Sequence, residues 1–133
     1  MEPVTALTSR KKNSIVRLNA NSRILKLIIK AIREKKGEKI ISLDMRKIPE
    51  AVSDYFIICE ATSTIQVKAI GDFVEETIKK EIGELPYHHE GYTNMHWILI
   101  DYINIVVHVM QPETRRFYKL EEMWSDAVLQ EYD

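Results

Sequence analysis

Three aspartates stand beside apolar runs that read as strands. Asp44 stands near the end of Lys39–Met45, Asp54 precedes Tyr55–Glu60, and Asp101 ends Met95–Asp101. Carboxylates gathered at strand ends can hold Mg²⁺ and, through it, a nucleotide phosphate. Metal-dependent nucleotidyl transfer commonly uses Asp-x-Asp or Asp-x-Glu on one strand, and none of the three has such a neighbour. The histidines are His88, His89, His96 and His108. Adjacent residues of a strand point to opposite faces, so His88 and His89 are poorly placed to share one ion. No cysteine or helical histidine pair completes a zinc set. His108 lies inside an apolar run and calls for a buried partner. Cys59, the single cysteine, sits in Tyr55–Cys59 with no evident activating group and reads as a strand residue of a reducing compartment. The glycines, Gly37, Gly71, Gly83 and Gly91, stand apart and build no phosphate loop, and no G-x-S-x-G or H-E-x-x-H pattern occurs. Neither a catalytic residue nor a cofactor or metal site is expected.

The elements around these residues are legible from periodicity. Ser22 can cap a helix to about Lys36, with Ile24, Leu25, Leu27, Ile28, Ala31 and Ile32 as its apolar stripe and Gly37 as its stop. The strands Lys39–Met45 and Tyr55–Glu60 follow, the second apolar throughout as for a strand buried on both faces. Ser63 and Gln66 fit a capping box. The helix behind it shows Val67, Ile70, Phe73, Val74, Ile78 and Ile82 on one side, and Gly83 and Pro86 end it. Tyr87–Glu90 is a short candidate strand. Met95–Asp101 and Asn104–Met110 are joined so tightly that they predict an antiparallel hairpin. Pro112 and Glu113 open a last helix reaching Trp124. The order α-β-β-α-(β)-β-β-α predicts one α/β (α+β) domain, a mixed sheet of four or five strands covered by helices.

The chain has 133 residues, enough for one domain with its own core. Residues 1–21 hold Arg10, Lys11, Lys12 and Arg17 against Glu2, a charge of +3; residues 22–133 hold 15 basic and 19 acidic residues, a charge of −4. This divides the chain into a flexible basic tail (1–21) and a mildly acidic domain (22–133). The tail lacks the apolar block of a secretory signal and the amphipathic pattern of a transit peptide. No apolar run approaches the ~20 residues that span a bilayer, so a cytoplasmic location with no membrane partner is expected. An acidic body suits a basic protein better than bare phosphates.

On Met95–Asp101, alternation puts Trp97, Leu99 and Asp101 on one face and His96, Ile98 and Ile100 on the other. Trp97 stands beside the polar loop Glu90–Asn94. Such a tryptophan is either core or an anchor for a partner, and anchors are enriched in Trp and Tyr.

Three ordered blocks go further. Asp54–Cys59 with Thr62-Ser63 and Gln66–Ile70 form the first. Glu90-Gly91, Trp97–Tyr102 and Val106–Met110 form the second. Gln111–Glu113, Arg115–Tyr118 and Leu120-Glu121 through Trp124-Ser125 form the third. Together, over about residues 22–126, they resemble the ribosomal silencing factor family, RsfS, also called Iojap. The resemblance implies a nucleotidyltransferase-like fold without its catalytic set. It also implies binding to the large ribosomal subunit at ribosomal protein L-fourteen, and a steric block on small-subunit joining when nutrients run short. It makes Trp97 the anchor, with Ile98, Asp101, Asp54 and Tyr55 as further contacts and Arg115 or Arg116 paired with an aspartate. The basic tail is left a minor contact with ribosomal RNA, and the chain is expected as a monomer or weak homodimer. A Mg²⁺-dependent enzyme and an oligomeric scaffold are the competing readings. Three departures stand out: the tail over 1–21 ahead of the family's usual start, Ala61 where the family usually has Gly, and Ile103-Asn104 where Gly-Asp is usual. A β-branched residue disfavours positive φ, so Asn104 is expected to take the left-handed position.

Overall fold

The computed structural model describes residues 22–132; the tail expected over 1–21 lies outside them. Helix α1 (Arg23–Glu34) is followed by β1 (Glu38–Asp44), β2 (Tyr55–Glu60), α2 (Thr64–Ile82), β3 (His88–Glu90), β4 (Trp97–Asp101) and β5 (Ile105–Met110). Two short helices, α3 (Pro112–Tyr118) and α4 (Leu120–Met123), precede β6 (Val128–Tyr132). The strands form one six-stranded sheet in the order β3-β4-β5-β2-β1-β6. Only the central pair, β2 with β5, is parallel, and both of its strands are buried along their whole length.

The sheet has six strands where four or five were expected. The addition is β6, which pairs antiparallel with Ile40–Asp44 of β1. Its side chains are mostly exposed, so burial leaves no alternating pattern to read; backbone pairing holds it, with Tyr132 packed on the core and its hydroxyl 2.9 Å from Ser42 Oγ. The hairpin of β4 and β5 forms as expected, Trp97 opposite Met110 and Asp101 opposite Val106. The last helix is broken at Lys119, whose φ of 50° no α-helix accommodates.

Helix ends follow local chemistry. Lys36 takes the left-handed turn with φ 66°, and the N–H groups of Lys36 and Gly37 return to the carbonyls of Arg33 and Ile32 at 3.0 and 2.9 Å. Gly37 is therefore one place beyond the residue that ends α1. A Cβ there would meet Ile32 Cγ2 at 2.4 Å, so close approach is what its hydrogen permits. Ser63 Oγ accepts from Gln66 N–H at 3.1 Å. The Gln66 side chain donates to the carbonyls of Lys35 and Lys36 at 3.3 and 3.2 Å, tying α2 to the end of α1.

The two faces of the sheet differ. One is covered by α1 and α2, which pack Leu25, Ile28, Ile32, Val67, Ile70 and Val74 on Ile57, Cys59, Ile98, Ile100, Val107 and Val109. The other holds Ile41, Leu43, Met45, Phe56, Ile58, Val106, Met110 and Leu120, with Trp97, Leu99 and Trp124 partly buried around them. Among the described residues, the short α3–α4 segment and the connection after β1 lie over that second face.

Candidate functional site

Trp97 projects from β4 on the thinly covered face, as alternation predicts. Its indole Nε1–H donates to His108 Nδ1 at 3.1 Å. The two residues are diagonal neighbours across β4 and β5, since Trp97 pairs with Met110 and His108 with Leu99. Tyr118 at the end of α3 packs on Trp97 in a tilted arrangement, with ring centres 4.8 Å apart and planes at 51°. Phe117 meets Tyr118 edge to face at 5.0 Å. Phe117 is 76% and Tyr118 47% exposed, so the cluster opens to solvent. Below it, Phe56 contacts both His108 (4.5 Å) and Trp124 (6.2 Å) edge to face. Burial alone pushes the His108 pKa down to about 3; the ring is neutral, with the Nδ1 lone pair available to the indole.

The approach of the chain to Trp97 is fixed by Gly91. Its φ is 96° and a Cβ there would lie 1.9 Å from the Trp97 carbonyl oxygen. The Met95 N–H returns to the Gly91 carbonyl at 2.9 Å, closing the loop that delivers Trp97 to its strand. Tyr92 in that loop donates to Glu75 Oε2 at 2.6 Å, and His89 Nδ1 is 2.6 Å from the same oxygen. Burial and the Glu75 hydrogen bond raise the Tyr92 pKa.

The five residues expected to meet a partner do not form one surface. Ile98 is fully buried against α2, and Tyr55, 2% exposed, belongs to the same core. Neither side chain is presented to a partner in this fold. Asp54, Tyr55 and Asp101 lie at the sheet end where β2 and β5 begin. Trp97 is four residues along β4 from Asp101, roughly 13 Å away. The Asp101 carboxylate accepts the Ile103 N–H at 2.7 Å and shapes the hairpin turn. There Ile103 itself has φ 77°, not Asn104. The Asn104 N–H reaches the Tyr102 carbonyl at 2.9 Å, the bond of a γ-turn with positive central φ. The Asn104 carbonyl then accepts from Asp54 and Tyr55 N–H at 3.1 and 3.0 Å. Pinned on both sides, the turn holds a β-branched residue where backbone preference alone would not.

Asp44 is engaged by Arg46 through contacts of 2.9 and 2.7 Å, and that guanidinium lowers its pKa. Among the described residues no three His, Cys, Asp or Glu side chains gather as metal ligands. Cys59 is buried, and burial pushes its thiol up to about 12. Arg115 pairs with glutamates, not with an aspartate: Glu121 at 3.0 Å and Glu60 at 3.2 Å, with the Lys39 carbonyl at 2.8 Å. It is buried and anchors α3 to the sheet. Sequence reading missed Phe117 and Tyr118 as surface aromatics. Their adjacency after Arg115-Arg116 was the available signal.

The family model described as "Ribosomal silencing factor during starvation" (RsfS) matches residues 19–133. The chain belongs to the ribosomal silencing factor family. The RsfS protein of Bacillus subtilis is 38% identical over 110 residues, covering 83% of this chain and 92% of that one. A crystal structure of a Chromobacterium violaceum protein superposes with a TM-score of 0.72 at 34% identity, covering 77% of this chain and 83% of that one. The mouse protein named "Mitochondrial assembly of ribosomal large subunit protein 1" is 35% identical over 75 residues, 55% of this chain and 33% of the mouse protein. The aromatic cluster and the strained hairpin turn thus both lie within the RsfS region. No helix among the described residues is long and apolar enough to cross a membrane.

Proposed function

We propose that this RsfS member binds the large ribosomal subunit through ribosomal protein L-fourteen, with the Trp97 surface as its contact. Its bulk on the joining face then keeps the small subunit from closing, repressing translation when nutrients are limiting. The action is steric and makes or breaks no bond. It takes place in the cytoplasm, with the chain arriving as a monomer or weak homodimer and the basic tail adding a minor contact to ribosomal RNA. One observation carries this reading: an aromatic cluster of Trp97, Tyr118 and Phe117 is open to solvent on the face of the sheet that α1 and α2 leave uncovered. Large aromatics that are rigidly backed and solvent-facing are what interface hot spots are made of. The Asp44 and Asp101 carboxylates are tied up in an ion pair and a turn, which supports docking over metal-assisted catalysis.

Pelleting with purified large subunits through a sucrose cushion tests the proposal. Wild-type protein is expected in the pellet at low salt. Trp97→Ala, checked for folding by circular dichroism, is expected to bind more weakly by about 2 kcal/mol, roughly thirtyfold. Adding small subunits should give fewer joined ribosomes with wild-type protein than without it. Folded wild-type protein that stays in the supernatant overturns the proposal.

A further inference from the structure

His108 is 3% exposed in a strand whose other members, Ile105, Val106, Val107, Val109 and Met110, are buried and apolar. An aliphatic side chain would fill that place without desolvating two ring nitrogens. Among the described residues the imidazole instead makes one hydrogen bond, accepting the Trp97 indole N–H at Nδ1. That bond places the ring proton on Nε2, and Nε2 is buried with no protein partner among the described residues. A polar group kept at such cost in a core is one whose geometry matters. Phe56 wedges the imidazole from below at 4.5 Å, and Tyr118 holds the indole at 4.8 Å. The indole is thus fixed at its nitrogen and along its side.

We propose that His108 is the positioning residue of the docking surface: it draws the Trp97 N–H into the sheet, so the partner meets the indole as a flat apolar plate and takes no hydrogen bond from it. This rests on the Trp97 surface being the ribosome contact. Burial keeps the imidazole neutral throughout the physiological range, so the acceptor does not switch off. The chemistry asked of the partner is a group that stacks or packs on the plate.

The test separates positioning from binding. Exchange of the Trp97 indole N–H with solvent is followed by NMR on ¹⁵N-labelled protein, with Trp124→Phe used to assign the two indole signals. Slow exchange is expected in wild-type protein and fast exchange in His108→Leu. His108→Asn, which keeps an acceptor at the same distance from Cβ, should restore slow exchange. In pelleting with purified large subunits, His108→Leu should bind about tenfold more weakly and His108→Asn within about threefold of wild type. Wild-type exchange as fast as an exposed indole overturns the proposal. So does a His108→Leu protein that loses protection yet binds as wild type. If His108→Leu does not fold, wild-type exchange and the asparagine variant decide. If wild-type protein does not pellet, the ribosome reading fails while exchange still reports on His108.

Discussion

At position 108 the strand's run of isoleucine, valine and methionine is interrupted by an imidazole, and the interruption has a measurable pH signature. The folded-state pKa is pushed down to about 3, against ~6.5 for an unfolded histidine. Below pH ~6.5 the unfolded chain takes up a proton that the folded chain refuses. Stability should therefore fall as pH drops from about 6.5 towards about 3, by up to about 1.4 kcal/mol per pH unit from this group. Urea denaturation of wild-type protein and His108→Leu at several pH values checks this; the variant should have a flatter profile between pH ~6.5 and ~4.5. Nearer pH 4 the Asp44 carboxylate, lowered by Arg46, adds its own loss as it protonates. The sequence showed that His108 needed a buried partner but not which one. Cross-strand diagonals depend on register, and the partner lies 11 positions away. Trp97 was placed on the correct face by alternation alone. Ile98 and Tyr55 were drawn in by adjacency within motifs, and adjacency on a strand means opposite faces.

The expected elements form where periodicity put them; the departures are β6, the break in the last helix and the hairpin turn. Ile103 shows why. Its φ of 77° is imposed by the Asp101 cap, the Asn104 bond to Tyr102 and the hold of Asn104 on the start of β2. Such strain is stored at about 1–3 kcal/mol per residue. Ile103→Gly should raise stability by about 1 kcal/mol after the entropy of an added glycine is subtracted, seen as a Tm higher by a few degrees in calorimetry. Arg115 is the converse, a residue whose loss is severe. It joins α3 to Glu60 of β2, to Glu121 of α4 and to the Lys39 carbonyl. Lys39 itself is held at φ 51° beside an irregularity in the β1–β2 register. Removing the guanidinium by Arg115→Ala leaves a buried carboxylate unpaired and should cost about 3–5 kcal/mol, measured by urea unfolding. Tyr118 stands on the same short helix, so a destabilised Arg115→Ala is also expected to loosen the aromatic cluster. No propensity argument foresees that Lys119 breaks the last helix or that β6 exists. Both depend on tertiary contacts.

At the scale of the molecule, one face of the sheet is covered by two long helices and the other, among the described residues, by two short ones and the connection after β1, with Phe117 and Tyr118 exposed at its rim. The charge of residues 22–133 is −4 by count, a sign that suits a basic partner. Charge complementarity of this kind mainly speeds encounter. Raising salt from about 0.1 to about 1 M shrinks the Debye length from about 10 to about 3 Å. Association with large subunits should then slow, while dissociation, governed by the packed aromatics, changes less. Stopped-flow or surface-based kinetics would separate the two rates.

The pairing at the centre of the sheet has a further consequence, for the chain as it is made. Tyr55 lies beside Ile105 and Glu60 beside Met110, so the two innermost strands are fifty residues apart along the chain. Neither can find its neighbour through a local hairpin, and closing so long a loop comes before the contacts that reward it. A ribosome must release the chain to beyond Met110 before β2 is covered on its inner side. A product that stops short of β5 would leave Tyr55–Glu60, six residues buried in the finished fold, as a bare apolar strand edge. Fragments of that kind aggregate. The same strand that keeps the finished domain rigid is, during synthesis, the segment most in need of protection.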